Sequence, residues 1–294
     1  MGSIYGGHLS LHNDVTLIDT NSALVERLNK EGLILEENGT DNVYHPHAQT
    51  SAAGLEKADL IILFTKSLYS KSALESARGI IGPDTYLMTL QNGAGHEYLL
   101  MEFTDKDHII IGTTEDNGAL ISPGHIHHGG KGVTNIGLLN GGDRAVLENV
   151  KKCFDPCGFD VRIQSNIQHL IWDKLMTNAS LSVLTAILQC DMSYISRNDS
   201  ARALCTLLIK ETVAVANAMG LEFSFEDVRA KVMATSENNK GGYTSIMMDI
   251  KNGRRTEVDT ISGAVVRKAD ELDVAVPNMK MAVALVHALE GKSN

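Results

Sequence analysis

The residues best suited to chemistry lie in the stretch IWDKLMTNASLSVLTAI, from Ile171 to Ile187. Leu175, Leu181, Val183, Leu184 and Ile187 give it the apolar content of a core helix. Within it Lys174, Asn178 and Ser182 recur every four residues. At about 3.6 residues per turn they form a slowly drifting polar line along the helix. A cation and an amide so spaced can hold a small polar ligand between them. Lysine also loses its proton readily when partly buried, so Lys174 can act as a proton donor near neutral pH. The alternative is that Lys174 extends its ammonium to water and Asn178 is simply exposed.

Elements must position those groups, and the chain of 294 residues has length for two domains. Hydrophobic residues make up 43%, enough for sizeable cores, and the net charge of −10 argues against nucleic acid or an anionic membrane as the main partner. Cys153, Cys157, Cys190 and Cys205 form no C-x-x-C pair and read as reduced thiols of a cytoplasmic protein. No apolar run approaches the roughly 18 residues that span a membrane. The Gly-rich start lacks the basic region of a signal peptide, and Gly6 stands where a myristoylation signal has Ser or Thr.

The first half alternates strands and helices, as in a doubly wound dinucleotide-binding fold. Gly2 to Leu11 reads as a short helix with small residues for close packing, and Asp14 to Asp19 as a strand ending in an acid. In such folds an acidic residue follows the second strand about 20 residues past the first glycine of G-x-G-x-x-G. Counting back from Asp19 puts Gly2 at the third glycine, so the first strand and first two glycines are missing ahead of it. An upstream start of the polypeptide is the expectation. Asp19 would then accept hydrogen bonds from ribose hydroxyls; an ordinary helix and strand is the alternative. A helix is expected over Asn21 to Gly32, then polar short strands and loop over Leu33 to Thr50. Ala58 to Thr65 is a buried parallel strand, and Lys66 beyond its carboxyl end is either a cofactor contact or a solvated helix-start lysine. A helix over Ser72 to Ile81 and a strand over Tyr86 to Leu90 precede Gln91-Asn92-Gly93-Ala94-Gly95, a ligand-approaching loop or a plain turn. His108 to Thr113 is a strand, followed by a loop, TEDNG. His125, His127 and His128 raise a metal reading, but no Cys or carboxylate follows at ligand spacing, so no metal site is assigned. A helix over Ala145 to Phe154 and a strand over Phe159 to Ile163 end the pattern, and the domain boundary is expected near Gln164.

From Ile167 onward the pattern is helical: Leu204 to Met219, Phe225 to Ser236, Ser245 to Ile250, Thr256 to Leu272 and, opened by Pro277, Asn278 to Leu289. Thr256 is expected to cap its helix, with Glu257 and Asp259 in the acid-favouring first turn.

Five pieces in this order carry a resemblance: Gln91-Asn92-Gly93, His128-x-Gly130, Trp172-x-Lys174-x-x-x-Asn178, Ser245-Ile246-Met247-Met248-Asp249 and Arg255-Thr256-Glu257-Val258-Asp259. Over essentially its whole length the chain resembles the ketopantoate reductase (2-dehydropantoate 2-reductase) family. The resemblance implies a Rossmann-like dinucleotide-binding domain over 1–164, an all-α substrate domain over 165–294, a cytoplasmic enzyme and a possible homodimer. It implies reduction of a small 2-oxo acid with NADP(H). By position, Lys174 resembles the general acid and Glu257 the group that binds the substrate's hydroxyl. Asn178 and Ser245 would bind substrate, Asn92 would lie between nicotinamide and substrate, and Gly2 and Lys66 would contact the cofactor.

Departures from the family pattern qualify these expectations. Ser182 stands where the family usually has asparagine in the substrate site, and Gly242 replaces another substrate-contacting asparagine. The shorter Ser182 hydroxyl widens the pocket and loses an amide, which admits another branched or aryl 2-oxo acid, as in the mandelate-type D-2-hydroxy acid dehydrogenases that resemble the same family. Asp19 is followed by Thr20-Asn21 with no arginine, and its carboxylate repels a 2′-phosphate. NAD(H) is therefore expected to serve at least as well as NADP(H). A non-catalytic dinucleotide sensor is the reading from a different class, and the joint presence of Lys174, Asn178, Ser245 and Glu257 argues against it.

Overall fold

A computed structural model describes residues 1–141 and 144–293. The chain divides into two compact units: Met1–Gln91 with His96–Ile167, and Asn92–Gly95 with the residues from Gln168 onward. Among the described residues no helix is long and apolar enough to cross a membrane.

The first unit is built from α1 (Gly2–Leu9), β1 (Thr16–Ile18), α2 (Ser22–Glu31), β2 (Leu33–Glu37), β3 (Thr40–Tyr44), β4 (His47–Gln49), β5 (Leu60–Leu63), α3 (Ser70–Ala77), β6 (Tyr86–Thr89), α4 (His96–Leu100), β7 (Ile109–Thr114), β8 (Asn117–Ser122), β9 (His125–Gly130), β10 (Val133–Leu138), α5 (Arg144–Phe154) and β11 (Asp160–Ile163). The main sheet runs β11-β10-β7-β6-β5. In it β5, β6 and β7 are parallel, and β10 runs antiparallel to β7. Among the described residues β1 pairs only with β4, in parallel, as a separate two-stranded ladder. Ile109, Ile110 and Met88 are fully buried, as expected of strands covered on both faces.

Helix α1 packs closely because its glycines allow it. A Cβ on Gly6 would lie 2.3 Å from Leu17 Cδ2, and one on Gly2 would lie 3.3 Å from Phe64 Cβ. Tyr5, 1% exposed, stacks on Phe159 with ring centroids 4.4 Å apart, which anchors the helix in the core.

A further sheet, β3-β2-β9-β8, supplies two of the short strands expected over Leu33 to Thr50 and corrects one expectation. The stretch after β2 turns at Asn38-Gly39, both at positive φ, into an antiparallel hairpin with β3. The expected TEDNG loop ends early, because Asn117 and Gly118 already pair with β9. Here tertiary packing overrides local turn chemistry: the Ile4 side chain takes the place that a Cβ on Gly118 would fill, 2.5 Å away.

The second unit contains α6 (Ile167–Leu188), α7 (Met192–Arg197), α8 (Asp199–Ala218), α9 (Phe225–Asn238), α10 (Ser245–Lys251), α11 (Ser262–Glu271) and α12 (Pro277–Glu290). Helix α8 packs against α7, α9, α11 and α12. Asparagine and serine caps start α8 and α9: Asn198 accepts from the Ala201 N–H and Ser224 from the Asp227 N–H. The expected helix from Thr256 begins only at Ser262. Residues 257–261 form a turn whose Val258 and Ile261 are buried. The Thr256 hydroxyl does accept a backbone N–H, but from Val258 two residues on (3.2 Å), which closes a turn instead of capping a helix.

Candidate active site

Helix α6 is apolar on nearly all sides, and Trp172, Leu175, Met176, Ala179, Leu181 and Val183 are buried. Against that background the polar line is plain. Lys174 and Asn178 are half-buried and Ser182 is buried. From Lys174 to Ser182 the line rises about 12 Å along the axis.

Hydrogen bonds tie the other expected residues to this helix. Ser262 Oγ donates to the Ala179 carbonyl (2.9 Å), one residue from Asn178. That bond fixes the start of α11, and with it the preceding turn that carries Glu257. Farther along α6, Thr185 Oγ1 and Thr244 Oγ1 share a bond of 2.8 Å. Thr244 caps α10 through the Met247 N–H, so Ser245, exposed at the first position of α10, is held relative to α6. The Asn92–Gly95 loop is clamped to the Glu257 turn: Ala94 N–H donates to the Thr260 carbonyl at 2.8 Å. Gly93 has φ of 103°, and a Cβ there would lie 2.0 Å from Thr260 O. Only glycine fits that approach. Asn92 is thereby carried to the same turn as Glu257.

Helix α12 holds the turn from another side. The Thr256 N–H donates to Glu290 Oε1 (2.6 Å). The His287 ring bridges Asp259 Oδ1 (3.0 Å) and Glu290 Oε2 (2.9 Å). Burial would lower the pKa of His287, but its bonds to Glu290 and Asp259 outweigh burial and hold it above the ordinary value.

Of the residues expected to contact the cofactor, Gly2, Asp19 and Lys66 belong to the first unit and Asn92 to the second. Asp19 is exposed at the carboxyl end of β1, and its Oδ1 accepts the Asn21 N–H (2.9 Å). Lys66 follows the carboxyl end of β5, half-buried, and its carbonyl accepts the Tyr69 N–H (2.9 Å). Gln91, just past β6, donates to the Thr65 carbonyl and to Ser70 Oγ (2.8 Å). Carboxyl ends of parallel strands are where open α/β sheets take ligands. A carboxylate exposed at one of them suits the ribose hydroxyls of a dinucleotide. Gly2, at the first turn of α1, lets the helix sit close to Phe64.

Sequence reasoning missed a second polar cluster in this unit. His128 Nδ1 faces Glu37 Oε1 at 2.8 Å, and His8 Nε2 faces the same oxygen at 3.0 Å. His128 Nε2 faces Asp116 Oδ1 at 3.1 Å. Tyr5, Thr114 and Thr134 complete the network through their hydroxyls. Burial raises Glu37, but the bonds from His128 and His8 outweigh it and hold the carboxyl below the usual range. Its residues come from α1, β2, β7, β9, β10 and the link between β7 and β8, too far apart in sequence for any spacing rule; the histidine run over 125–128 was the sequence signal nearest to it.

Known proteins resemble this chain over nearly its whole length. The family model described as ketopantoate reductase PanE/ApbA matches residues 1–141, and the model of its C-terminal part matches residues 166–290. A 2-dehydropantoate 2-reductase from Pyrococcus horikoshii is 34% identical over 99% of this chain and 94% of the relative. One from Streptococcus pyogenes is 30% identical over 100% of this chain and 96% of its own. Among solved structures, D-mandelate dehydrogenase with NADH and anilino(oxo)acetate superposes with a TM-score of 0.91 at 30% identity, covering 100% of this chain and 96% of that one. A PanE/ApbA family ketopantoate reductase from Ralstonia eutropha superposes with a TM-score of 0.88 at 26% identity, covering 98% and 95%. With both halves matched by the family models and relatives aligned nearly end to end, the chain belongs to the ketopantoate reductase family.

Proposed function

We propose that this chain is a nicotinamide-dependent 2-oxo acid reductase that converts ketopantoate to pantoate, with residues 1–164 as the dinucleotide-binding domain and 165–294 as the substrate domain. One observation carries the reading. The Ser262–Ala179, Thr185–Thr244 and Ala94–Thr260 bonds gather the Glu257 turn, Ser245 and the Asn92 loop onto the helix that bears Lys174, Asn178 and Ser182. Such a set has the groups a 2-oxo acid needs: a cation, amides, hydroxyls and one carboxylate.

When bound, the dinucleotide supplies the hydride. Lys174 stabilises the negative charge that develops on the carbonyl oxygen and then neutralises it with a proton from Nζ. Glu257 accepts a hydrogen bond from the hydroxyl of the substrate, which selects a hydroxylated acid. Asn178, Ser182 and Ser245 orient the substrate, and Asn92 spaces it from the nicotinamide. Gly2, Lys66 and Asp19 hold the cofactor. The Asp19 carboxylate repels a 2′-phosphate, so NAD(H) serves at least as well as NADP(H).

A second reading rests on Ser182. Its short hydroxyl leaves room for a bulkier acid, as in a mandelate-type dehydrogenase, and the NADH-bound D-mandelate dehydrogenase superposes well. The deciding experiment follows oxidation of NADH and of NADPH with ketopantoate, 2-oxoisocaproate and phenylglyoxylate. Turnover of ketopantoate alone supports the reductase. Preference for the other two acids moves the assignment to a hydroxy acid dehydrogenase. Silence with all three sinks both, and a large NADPH preference overturns the role given to Asp19.

A further inference from the structure

We propose that His8, Glu37 and His128 form a binding site for a divalent transition cation of the zinc class, with Asp116 as the positioning residue of His128. Two imidazoles and a carboxylate are a ligand set that zinc accepts, and a fourth position would remain for water. Their ligand atoms all lie within 4.8 Å of one another. The two contacts to Glu37 Oε1, at 3.0 Å from His8 and 2.8 Å from His128, are close to the edge of a zinc tetrahedron. That edge is about 3.3 Å, given zinc–ligand bonds of about 2.0 Å. The third edge, between the two imidazole nitrogens, is at most 4.8 Å and would close on a bound ion.

Outer contacts already orient the ligands. Asp116 Oδ1 lies 3.1 Å from His128 Nε2, which leaves Nδ1 to face Glu37. A carboxylate on the far nitrogen of a histidine is the usual support for a metal ligand. Asp116 is itself held by the hydroxyls of Thr114 (3.0 Å) and Tyr5 (3.3 Å). Glu37 Oε2 is held by Tyr44 OH (3.2 Å) and Asn42 Nδ2 (3.3 Å).

Charge argues the same way. His8, His128 and Asp116 are each less than a tenth exposed, at 5%, 6% and 8%. Two carboxylates in such a place need positive charge nearby, and Lys131, which lines the same cleft, supplies only part of it. Protons on the two rings can provide the rest, and so can one divalent cation that displaces those protons. The cluster opens on a narrow cleft lined also by Lys131, Gly158 and Phe159, which suits an ion and not an organic ligand. Because the ligands come from α1, β2 and β9, a bound cation would cross-link three elements of the first unit. The site is separate from the residues assigned to substrate and does not depend on that assignment.

The test is calorimetric titration of the chelator-stripped protein with zinc chloride, and with cobalt(II) as an optical probe. Wild-type protein should bind a single equivalent, raise its melting temperature and release protons, seen as a heat that changes with the buffer. His8→Ala and Glu37→Gln should weaken binding at least about 100-fold, and Asp116→Asn about 10- to 100-fold. The double variant His125→Ala with His127→Ala removes nearby surface histidines that face Asp41 and Glu36, and it should bind as wild type does. The cobalt spectrum is read on the wild-type protein alone: intense tetrahedral bands are expected. Absence of binding, a weak octahedral spectrum, or binding lost only in the surface double variant would each overturn the proposal.

Discussion

At the scale of the residue, Lys174 has the clearest prediction. If it is the proton donor, Lys174→Ala should lower kcat on ketopantoate by about 10²- to 10⁴-fold, the usual worth of a positioned acid. Glu257→Gln should act chiefly on KM, because its bond to the substrate hydroxyl is present before and during reaction. Steady-state kinetics separates the two; an Lys174→Ala protein with full kcat would sink the catalytic assignment. Gly93 carries a structural prediction. Alanine there would meet Thr260 O at 2.0 Å and would hold a φ of 103° that L-residues avoid. Gly93→Ala should cost more than about 2 kcal/mol in urea unfolding; a smaller loss would mean the loop yields easily. Lys174, Asn178 and Ser182 were legible in the sequence because helical period alone puts them on one line. Glu257 was legible only as a residue type, since its expected place in a helix gave way to a turn. His8, Glu37 and Asp116 were not legible at all, because contacts 12 to 91 positions apart are made by topology and not by spacing.

At the scale of the element, the turn over 257–261 shows how a short segment without regular structure is kept in place. Buried Val258 and Ile261 hold it from below, and α12 holds it through Glu290 and His287. The sequence T-E-V-D reads as a helix start because Thr caps and acids favour the first turn. What it cannot reveal is Glu290, 34 positions away, taking the Thr256 N–H. This arrangement predicts a pH dependence. The pKa of His287 is raised in the folded protein, so the protonated ring stabilises the fold. That stability is fully present below the unfolded value of about 6.5 and is lost as pH rises through the higher folded value. The ring is 40% exposed, so solvent screens the effect and it should be modest. Melting temperature should fall slightly from pH 6 to pH 8, and His287→Gln should flatten that slope. An identical slope in the variant would remove His287 from the account.

At the scale of the whole molecule, the class of architecture was readable from alternation that stops before α6 and from the helical remainder. The division of the strands among separate sheets was not, because a period of two marks a strand without naming its neighbour. The β1–β4 ladder has a register of only three pairs, Thr16 with His47 to Ile18 with Gln49. β6 and β7 lie inside the main sheet, with Met88 and Ile110 fully buried. Two short strands bury too little to be stable alone, so opening free energies should differ between the two sheets. In hydrogen exchange, Asp19, whose N–H donates to the Gln49 carbonyl (3.1 Å), should exchange at least about 10-fold faster than Met88 and Ile110. The same measurement joins this weakness to function. Asp19 directly follows β1, so a dinucleotide held by that carboxylate stabilises the ladder by binding its closed form. Saturating NADH should therefore slow exchange over residues 16–19 and 47–49 more than over β6 and β7. If NADH instead protects the main sheet and leaves β1 and β4 unchanged while catalysis proceeds, the ribose is held elsewhere. Asp19 would then be an ordinary strand-end carboxylate, and the argument for NAD(H) would go with it.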